Sequence, residues 1–192
     1  LGFGHLIEAA FDVDRGRSQE VDFAGLYGVG NIWGSFIDSE LRYVDSHMEN
    51  RRQVIFSRPF RTVEINYGGA LSVSRVGNKD ASAAVRTEYD QRDLWIGRAF
   101  RPHGAGTDED RRQQFTVSGR VAVRDYVKRG PVAADTDRSL HNRTLTLAGV
   151  SWSYSAYRKA LLLTTYGNTD DINYGYLASI AGGYEAGEFN DR

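Results

Sequence analysis

The stretch that decides the fold is YRKALLLTTYGNTDDINYGYLASIAGGY, residues 157–184. It predicts two long β-strands joined by a polar turn at 167–171, because Gly accepts positive φ and Asn and Asp bond their own backbone. Beyond the turn, alternate residues share a face, since side chains in a strand repeat every second position. The apolar face holds Ile172, Tyr174, Tyr176, Ala178, Ile180, Gly182 and Tyr184. The alternation continues to residue 185, well beyond the roughly 5–6 residues of an ordinary strand.

The same alternation recurs along the chain, most cleanly in residues 1–13, 62–75 and 113–126. Further strands are predicted at 19–27, 37–43, 53–58, 81–89, 94–100, 144–154 and 157–166. The total is about ten or eleven strands and no helix, because no 3.6-residue periodicity is sustained. GVGNIWG (28–34) is interpreted as a Gly-rich connection, and a change of apolar face after Leu147 predicts a β-bulge near Gly149.

Serial hairpins predict one all-β domain over residues 1–192, an antiparallel up-and-down sheet. The predicted loops do not separate into a short side and a long side, as those of a strict transmembrane barrel do. The chain starts at Leu1 without Met and stops at Arg192 in what is predicted to be a strand end. We therefore expect a longer protein at both ends.

Bulk composition narrows the function classes. The net charge of −1 gives no basic field for nucleic acid. The absence of cysteine excludes disulfides and thiolate metal sites. Only 3 prolines occur, which suits long paired strands because Pro cannot donate to a ladder. No run approaches the roughly 18 apolar residues of a transmembrane helix, whereas barrel strands leave a weaker hydropathy signal.

The apolar faces must contact either lipid or a protein core. Three features favour a transmembrane β-barrel: alternation over the ~9–11 residues that cross a bilayer, mixed charges on the polar faces, and aromatics near predicted strand ends. Those aromatics are Trp33, Tyr43, Tyr89, Trp95, Tyr126 and Tyr166. A soluble β-sandwich or jelly-roll binding module remains an alternative. It requires a second sheet that covers Phe115, Val117, Val121 and Val123.

The segment 157–185 resembles part of the BamA/TamA-like outer-membrane barrels of the surface-antigen superfamily, which carry an F-G-R-T-E-D-I-P-like turn. Here the turn reads YGNTDDIN (166–173), in which Gly167, Thr169, Asp171 and Ile172 match. GLYGVGNIWGSFIDSELRYV (25–44) and RRQVIFSRPF (51–60) are similar to the G-L-x-D-x-N-L-x-G and F-x-x-P-F segments of the family. The Arg-Gly-aromatic motif of the family is missing, because Pro131 follows Arg129 and Gly130.

The resemblance implies an interior portion of a larger barrel in the bacterial outer membrane. It implies help in assembling or translocating outer-membrane proteins, or a structural part in an envelope complex. The expected partners are the lipid bilayer and other envelope proteins, and not nucleic acid. A passive porin or channel with the same fold is the alternative within the membrane class.

The sequence predicts no catalytic, cofactor-binding or metal site. The histidines at 5, 47, 103 and 141 lack metal-ligand spacing. Asp38 and Glu40 share a face but are more simply lumen or surface charges than a glycosidase pair. NTDD (168–171) lacks the later residues of a calcium loop, and no Ser stands in a G-x-S-x-G elbow. We therefore expect no enzyme.

Overall fold

The computed structural model describes residues 4–16, 21–60, 65–79, 86–100, 113–132, 137–161 and 169–189, with the backbone alone at 155–161 and 169–174. The described residues form nine β-strands and two short 3₁₀ turns. The strands are β1 (Gly4–Val13), β2 (Val21–Gly30), β3 (Asp38–Asp45), β4 (Glu49–Arg58), β5 (Tyr67–Asn78), β6 (Glu88–Phe100), β7 (Gln113–Lys128), β8 (Arg143–Leu161) and β9 (Thr169–Gly187). The turns are Ile32–Gly34 and Arg138–Leu140.

Each strand pairs antiparallel with its neighbour in sequence, so the order in the single sheet is β1 to β9. The all-β, up-and-down prediction is therefore confirmed. Across the described residues the sheet does not close, and β1 and β9 are its edges. Because the strands alternate in direction and number nine, β1 and β9 run the same way. No helix in the described part of the chain is long and apolar enough to span a membrane.

The strand count of ten or eleven is wrong for the described chain, because two pairs of predicted strands are continuous. β6 runs from Glu88 to Phe100 and joins the end of the predicted 81–89 strand to the predicted 94–100 strand. β8 likewise joins 144–154 to the start of 157–166. In both cases the interval that was interpreted as a break is paired with neighbouring strands along its whole length.

The bulge predicted near Gly149 is also wrong. Gly149 lies opposite Ser118 on one side and Ala181 on the other, in ladders that run through it without a shift. The apolar side chain that misled the prediction, Leu147, lies on the polar face. There it packs over Gly183, where an added Cβ would come within 2.6 Å of the Leu147 Cδ2 atom. The described residues contain a register shift at Glu88/Tyr89 instead.

Three predicted boundaries move. Residues 169–171 belong to β9 and pair with 159–161, while Gly167 and Asn168 lie outside the described residues. Residues 28–30 extend β2 and precede the 3₁₀ turn, so the Gly-rich connection is shorter than predicted. β5 begins at Tyr67 rather than 62, and Ile65 before it is buried at 4% exposure.

The two faces of the sheet differ in exposure in its central strands, whereas β1 and residues 175–184 of β9 are exposed on both faces. In β6 the even-numbered residues 92–100 are exposed, whereas the odd-numbered residues 93–99 are half-buried or buried. Register places the exposed set on the same face as the apolar residues of β5 and β7. No second layer covers either face among the described residues. We infer from the difference in exposure that the sheet curves, and we call the apolar face convex and the polar face concave. Three hydrophobic residues of the described chain are buried: Ile65, Val76 and Ala99.

The chain has no cysteine, so introduced pairs can test the register of β8 and β9. Val150 lies opposite Ile180, and directly opposed residues have Cα atoms about 4.5–5.5 Å apart, within disulfide reach. We expect the Val150→Cys, Ile180→Cys variant to form an intramolecular disulfide upon mild oxidation, measured by mobility on a non-reducing gel.

The matched control is the Val150→Cys, Tyr184→Cys variant, whose second cysteine is four residues further along β9. That displacement is roughly 13 Å at strand rise, beyond disulfide reach. Efficient cross-linking of the control with none in the test pair would contradict the register.

Candidate functional site

The convex face carries an apolar stripe across β3 to β9, which Tyr27 and Ile7 continue onto β2 and β1. Its large side chains on β3 to β9 are between 38% and 72% exposed. They are Leu41, Phe56, Leu71, Val73, Leu94, Ile96, Val117, Val121, Val150 and Ile180. Register places all of them on one face, since opposed residues of neighbouring strands point the same way. A contiguous exposed apolar surface of this kind marks contact with another protein or with a membrane.

Aromatic rings border one margin of the stripe. Phe100 and Phe115 lie 6.4 Å apart between ring centroids, and the Tyr176 ring lies 5.4 Å from Trp152 and 5.5 Å from Tyr154. The Arg98 guanidinium extends the row by lying over the rings of Tyr67, at 5.3 Å, and Phe100, at 4.9 Å. This margin therefore combines flat apolar rings with a cation that stacks on them.

The opposite margin carries both aromatic and charged groups. Phe23 lies 5.0 Å from Phe11 and 5.9 Å from Tyr43 between ring centroids. Further along the same edge, Arg75 makes a two-pronged contact with Asp90, from Nε to Oδ1 at 2.7 Å and from Nη2 to Oδ2 at 2.9 Å. The stripe is thus bounded by water-compatible groups at both ends of the strands.

On the concave face, charged side chains pair with one another across and along strands. Arg120 donates from Nε to Asp93 on the neighbouring strand at 2.9 Å, and Arg143 donates to Glu185 at 2.9 Å. Arg51 contacts Glu49 at 3.0 Å, Arg42 contacts Glu40, and Gln53 donates to Ser72 at 2.9 Å. These contacts neutralise most of the charge locally while leaving the groups accessible to water.

One segment folds over the concave face. Phe60, which follows β4, covers Gly68 and Gly97, where an added Cβ would lie 2.8 Å and 3.4 Å from its ring carbons. Its ring centroid lies 6.3 Å from that of Trp95. The two glycines leave the space that the ring occupies, and Ala99 beside them is buried. The concave face therefore contains a small apolar plug at one end of the strands.

A second tertiary contact, named here the clasp, joins the β7–β8 loop to the end of β9 through Arg129, Asn142 and Glu188. Arg129 donates to both oxygens of Glu188 at 2.7 Å, and the Asn142 amide donates to Oε1 at 2.8 Å. The hydrogen bond from Arg129 holds the pKa of the Glu188 carboxyl below its usual value. In the same loop, hydrogen bonds from Ser139 lower the pKa of Asp137.

The structure separates the residues that the sequence marked for chemistry. Within the described chain, no three His, Asp or Glu side chains come together as metal ligands. His47 contacts Asp22 at 2.7 Å, His5 contacts the Tyr27 hydroxyl at 3.0 Å, and His103 lies outside the described residues. Glu40 contacts Arg42, as expected of a paired charge on a polar face.

The aromatics that were predicted near strand ends lie in different places. Tyr43 lies at a margin of the convex face and Trp33 is 86% exposed in the loop before β3. Tyr89 and Tyr126 pair with each other on the concave face, and Trp95 lies under Phe60. Phe115 and Trp152 border the stripe on the face that alternation gave them, but they were not among the aromatics predicted near strand ends; register places them side by side. Tyr166 lies outside the described residues.

Comparison of the chain with protein-family models, with curated proteins and with solved structures found no significant match. Functional interpretation therefore rests on the geometry of these surfaces.

The clasp predicts an acid-sensitive loop. Because the folded pKa of Glu188 lies below the usual 4.5, the contact stabilises the fold above that value and is lost as pH falls through the lowered pKa. We expect hydrogen exchange in segment 137–142, corrected for intrinsic rate, to accelerate as the pH falls through the lowered pKa of Glu188. Glu188→Gln should produce the acceleration at pH 7, by roughly two- to fivefold, as expected of an exposed ion pair.

Because the variant changes Glu188 alone, it separates the effect of Glu188 on hydrogen exchange from that of Asp137, whose pKa is also lowered in this loop. Glu8→Gln, on the opposite edge strand, removes the same charge and should leave segment 137–142 unchanged. Equal exchange in the Glu188→Gln variant and the parent at pH 7 would refute a stabilising clasp.

Proposed function

We propose that this protein is a bacterial outer-membrane β-barrel protein whose convex face contacts lipid. The observation that carries the proposal is the placement of the large apolar side chains on the more exposed face, between two margins of aromatic and charged groups. A water-soluble sheet with one wet face places its apolar residues on the covered side. The opposite placement suits a wall with lipid outside and water inside.

The size of the apolar stripe favours lipid over water. Leaving a half-exposed large side chain in water forgoes about 1 kcal/mol of transfer free energy. Ten such residues forgo about 10 kcal/mol, which equals the whole stability of a typical domain. The second sheet that a β-sandwich would need to cover Phe115, Val117 and Val121 is absent from the described chain, where all three are 42% exposed. Lipid supplies the missing cover.

The spacing of the two margins agrees with a bilayer. Asp90 and Phe100 mark the outer limits of the margins, ten residue steps or about 34 Å apart along the strand, and Arg92 and Arg98 lie two residues inside these limits on the same face. With the roughly 35–45° tilt of barrel strands, this length projects to about 24–28 Å, close to the apolar band of outer-membrane barrels. Leu94 and Ile96 occupy the interval between the two arginines, whose long side chains can extend toward the margins. The concave face, with its pairs Arg120–Asp93 and Arg143–Glu185, then lines the interior.

The open edges make the nine strands a portion of the barrel wall. In hydrocarbon, every backbone N–H and C=O must be paired, so β1 and β9 need partners. The two edges run in the same direction, and an antiparallel closure therefore requires an odd number of further strands between them. The need for further strands agrees with the resemblance of residues 166–173 to the larger BamA/TamA-like barrels. That resemblance supports a role in outer-membrane protein assembly, translocation or envelope structure. A passive channel is the second candidate, favoured by the paired charges on the concave face.

Matched substitutions on adjacent residues of β7 test the lipid contact. Val121 lies near the middle of the stripe on the convex face, whereas Ala122 points to the concave face. We expect Val121→Arg to lower the folded, inserted fraction in phosphatidylcholine vesicles by about thirtyfold or more, because a cation at mid-bilayer costs roughly 2–4 kcal/mol. Ala122→Arg should insert like the parent chain. Insertion is measured by protease protection together with mobility of unheated samples on a detergent gel.

Insertion of Val121→Arg at the level of the parent would refute the lipid contact. A parent chain that stays folded and monomeric in buffer without detergent would do the same. Conductance separates the two roles: stepwise current in planar bilayers that changes ion selectivity with Arg120→Glu supports a channel, and a silent barrel counts against it.

A further inference from the structure

We propose that the charged margin of the convex face contains a binding site for the phosphate headgroup of an anionic lipid. The inference rests on the proposed membrane function and names one of its ligands. The site is a cavity of about 350 Å³ at the ends of β4, β5, β6 and β7, named here the basic pocket. Five cationic side chains line it, Arg52, Arg75, Lys79, Arg86 and Lys128, with Glu88 as the one acidic residue in the lining.

Local acidic partners neutralise two of these five cations. Arg75 contacts Asp90 and, at 3.7 Å, Glu88, and Lys79 contacts Asp45. The other three, Arg52, Arg86 and Lys128, form no ion pair with any residue that the structure describes. Elsewhere on the sheet, charged side chains such as Arg120 and Arg143 meet an opposite charge. The basic pocket therefore keeps three cations without an ion-pair partner among the described residues, which is the chemistry that binds a phosphate.

The pocket continues into a groove on the same face that is lined by apolar side chains and also by the charged residues Arg42, Asp90 and Arg92. The groove has a volume of about 540 Å³ and shares Arg52 and Arg75 with the pocket. Register explains the continuity: Arg52 lies opposite Arg75, and two residues further along the same strands Val54 lies opposite Val73. Leu41 and Tyr43 complete the apolar lining, and Arg52 lies over the Tyr43 ring at 6.0 Å.

This arrangement selects an amphiphile rather than a free anion. A phosphate in the basic pocket places the chains of its lipid in the groove, against Val54 and Val73, without a turn in the molecule. The aromatic ring of Tyr43 stands at the boundary, where rings of membrane proteins meet the headgroup region. Inorganic phosphate would use only the basic half of the site.

The experiment uses the full chain in detergent micelles that contain equal amounts of dioleoyl phosphatidylglycerol and dioleoyl phosphatidylcholine, with bound lipid counted by native mass spectrometry. We expect the parent chain to retain phosphatidylglycerol in preference to phosphatidylcholine. The R52Q/K128Q variant should lose about fivefold of that preference for each cation removed. The R15Q/R138Q variant removes the same charge from loops at the same end of the sheet and should keep the parent preference.

Equal retention of the two lipids by the parent chain would overturn the headgroup site while leaving the lipid contact of the convex face intact. Unchanged preference in R52Q/K128Q would overturn it too. If equimolar inorganic phosphate displaced the phosphatidylglycerol, the pocket would be a site for free anions, and the proposal of a lipid ligand would be refuted. Failure of the parent chain to enter phosphatidylcholine vesicles, measured separately, concerns the membrane function and not the pocket.

Discussion

The uninterrupted antiparallel ladder between sequence neighbours is the constraint on which the rest of the structure depends. Because side chains alternate along each strand, a one-residue slip at any pair would exchange the faces of all later strands. From β1 to β9 the described pairs keep their faces aligned, with one register shift at Glu88/Tyr89 near a strand end. Nine separate alternating patterns thereby combine into one apolar face and one polar face.

The two faces solve the problem of a missing core in different ways. On the concave face, polar groups satisfy one another in place, as Arg120 does with Asp93, and glycines admit Phe60 and Leu147 where apolar side chains lie inside. On the convex face, nothing within the described chain covers the stripe. In the proposed membrane protein, contact with lipid replaces the free energy that a soluble domain gains from its interior.

Charge is distributed with the same logic. The margins of the stripe hold cations of three kinds: Arg98 stacks on rings, Arg75 pairs with Asp90, and Arg52 and Lys128 have no acidic partner among the described residues. Away from the strands, the clasp of Arg129 and Glu188 ties a long loop to the last strand. A sheet without a core gains rigidity from such ties, because the residues beyond the ladder have few apolar contacts to order them.

The sequence by itself determined the all-β class, the serial hairpins and the two-faced character of each strand, because a period of two is a local property that 62–75 and 113–126 carry plainly. It misjudged continuity: Gly149 and the polar start of β6 resembled interruptions, but pairing on both sides keeps those residues in strands. Only the tertiary structure decided which face is convex, which rings form the margins, and that Arg52, Arg75 and Lys128 line one pocket, because these depend on register between strands and on curvature of the whole sheet. Neither property is contained in any single stretch of the chain.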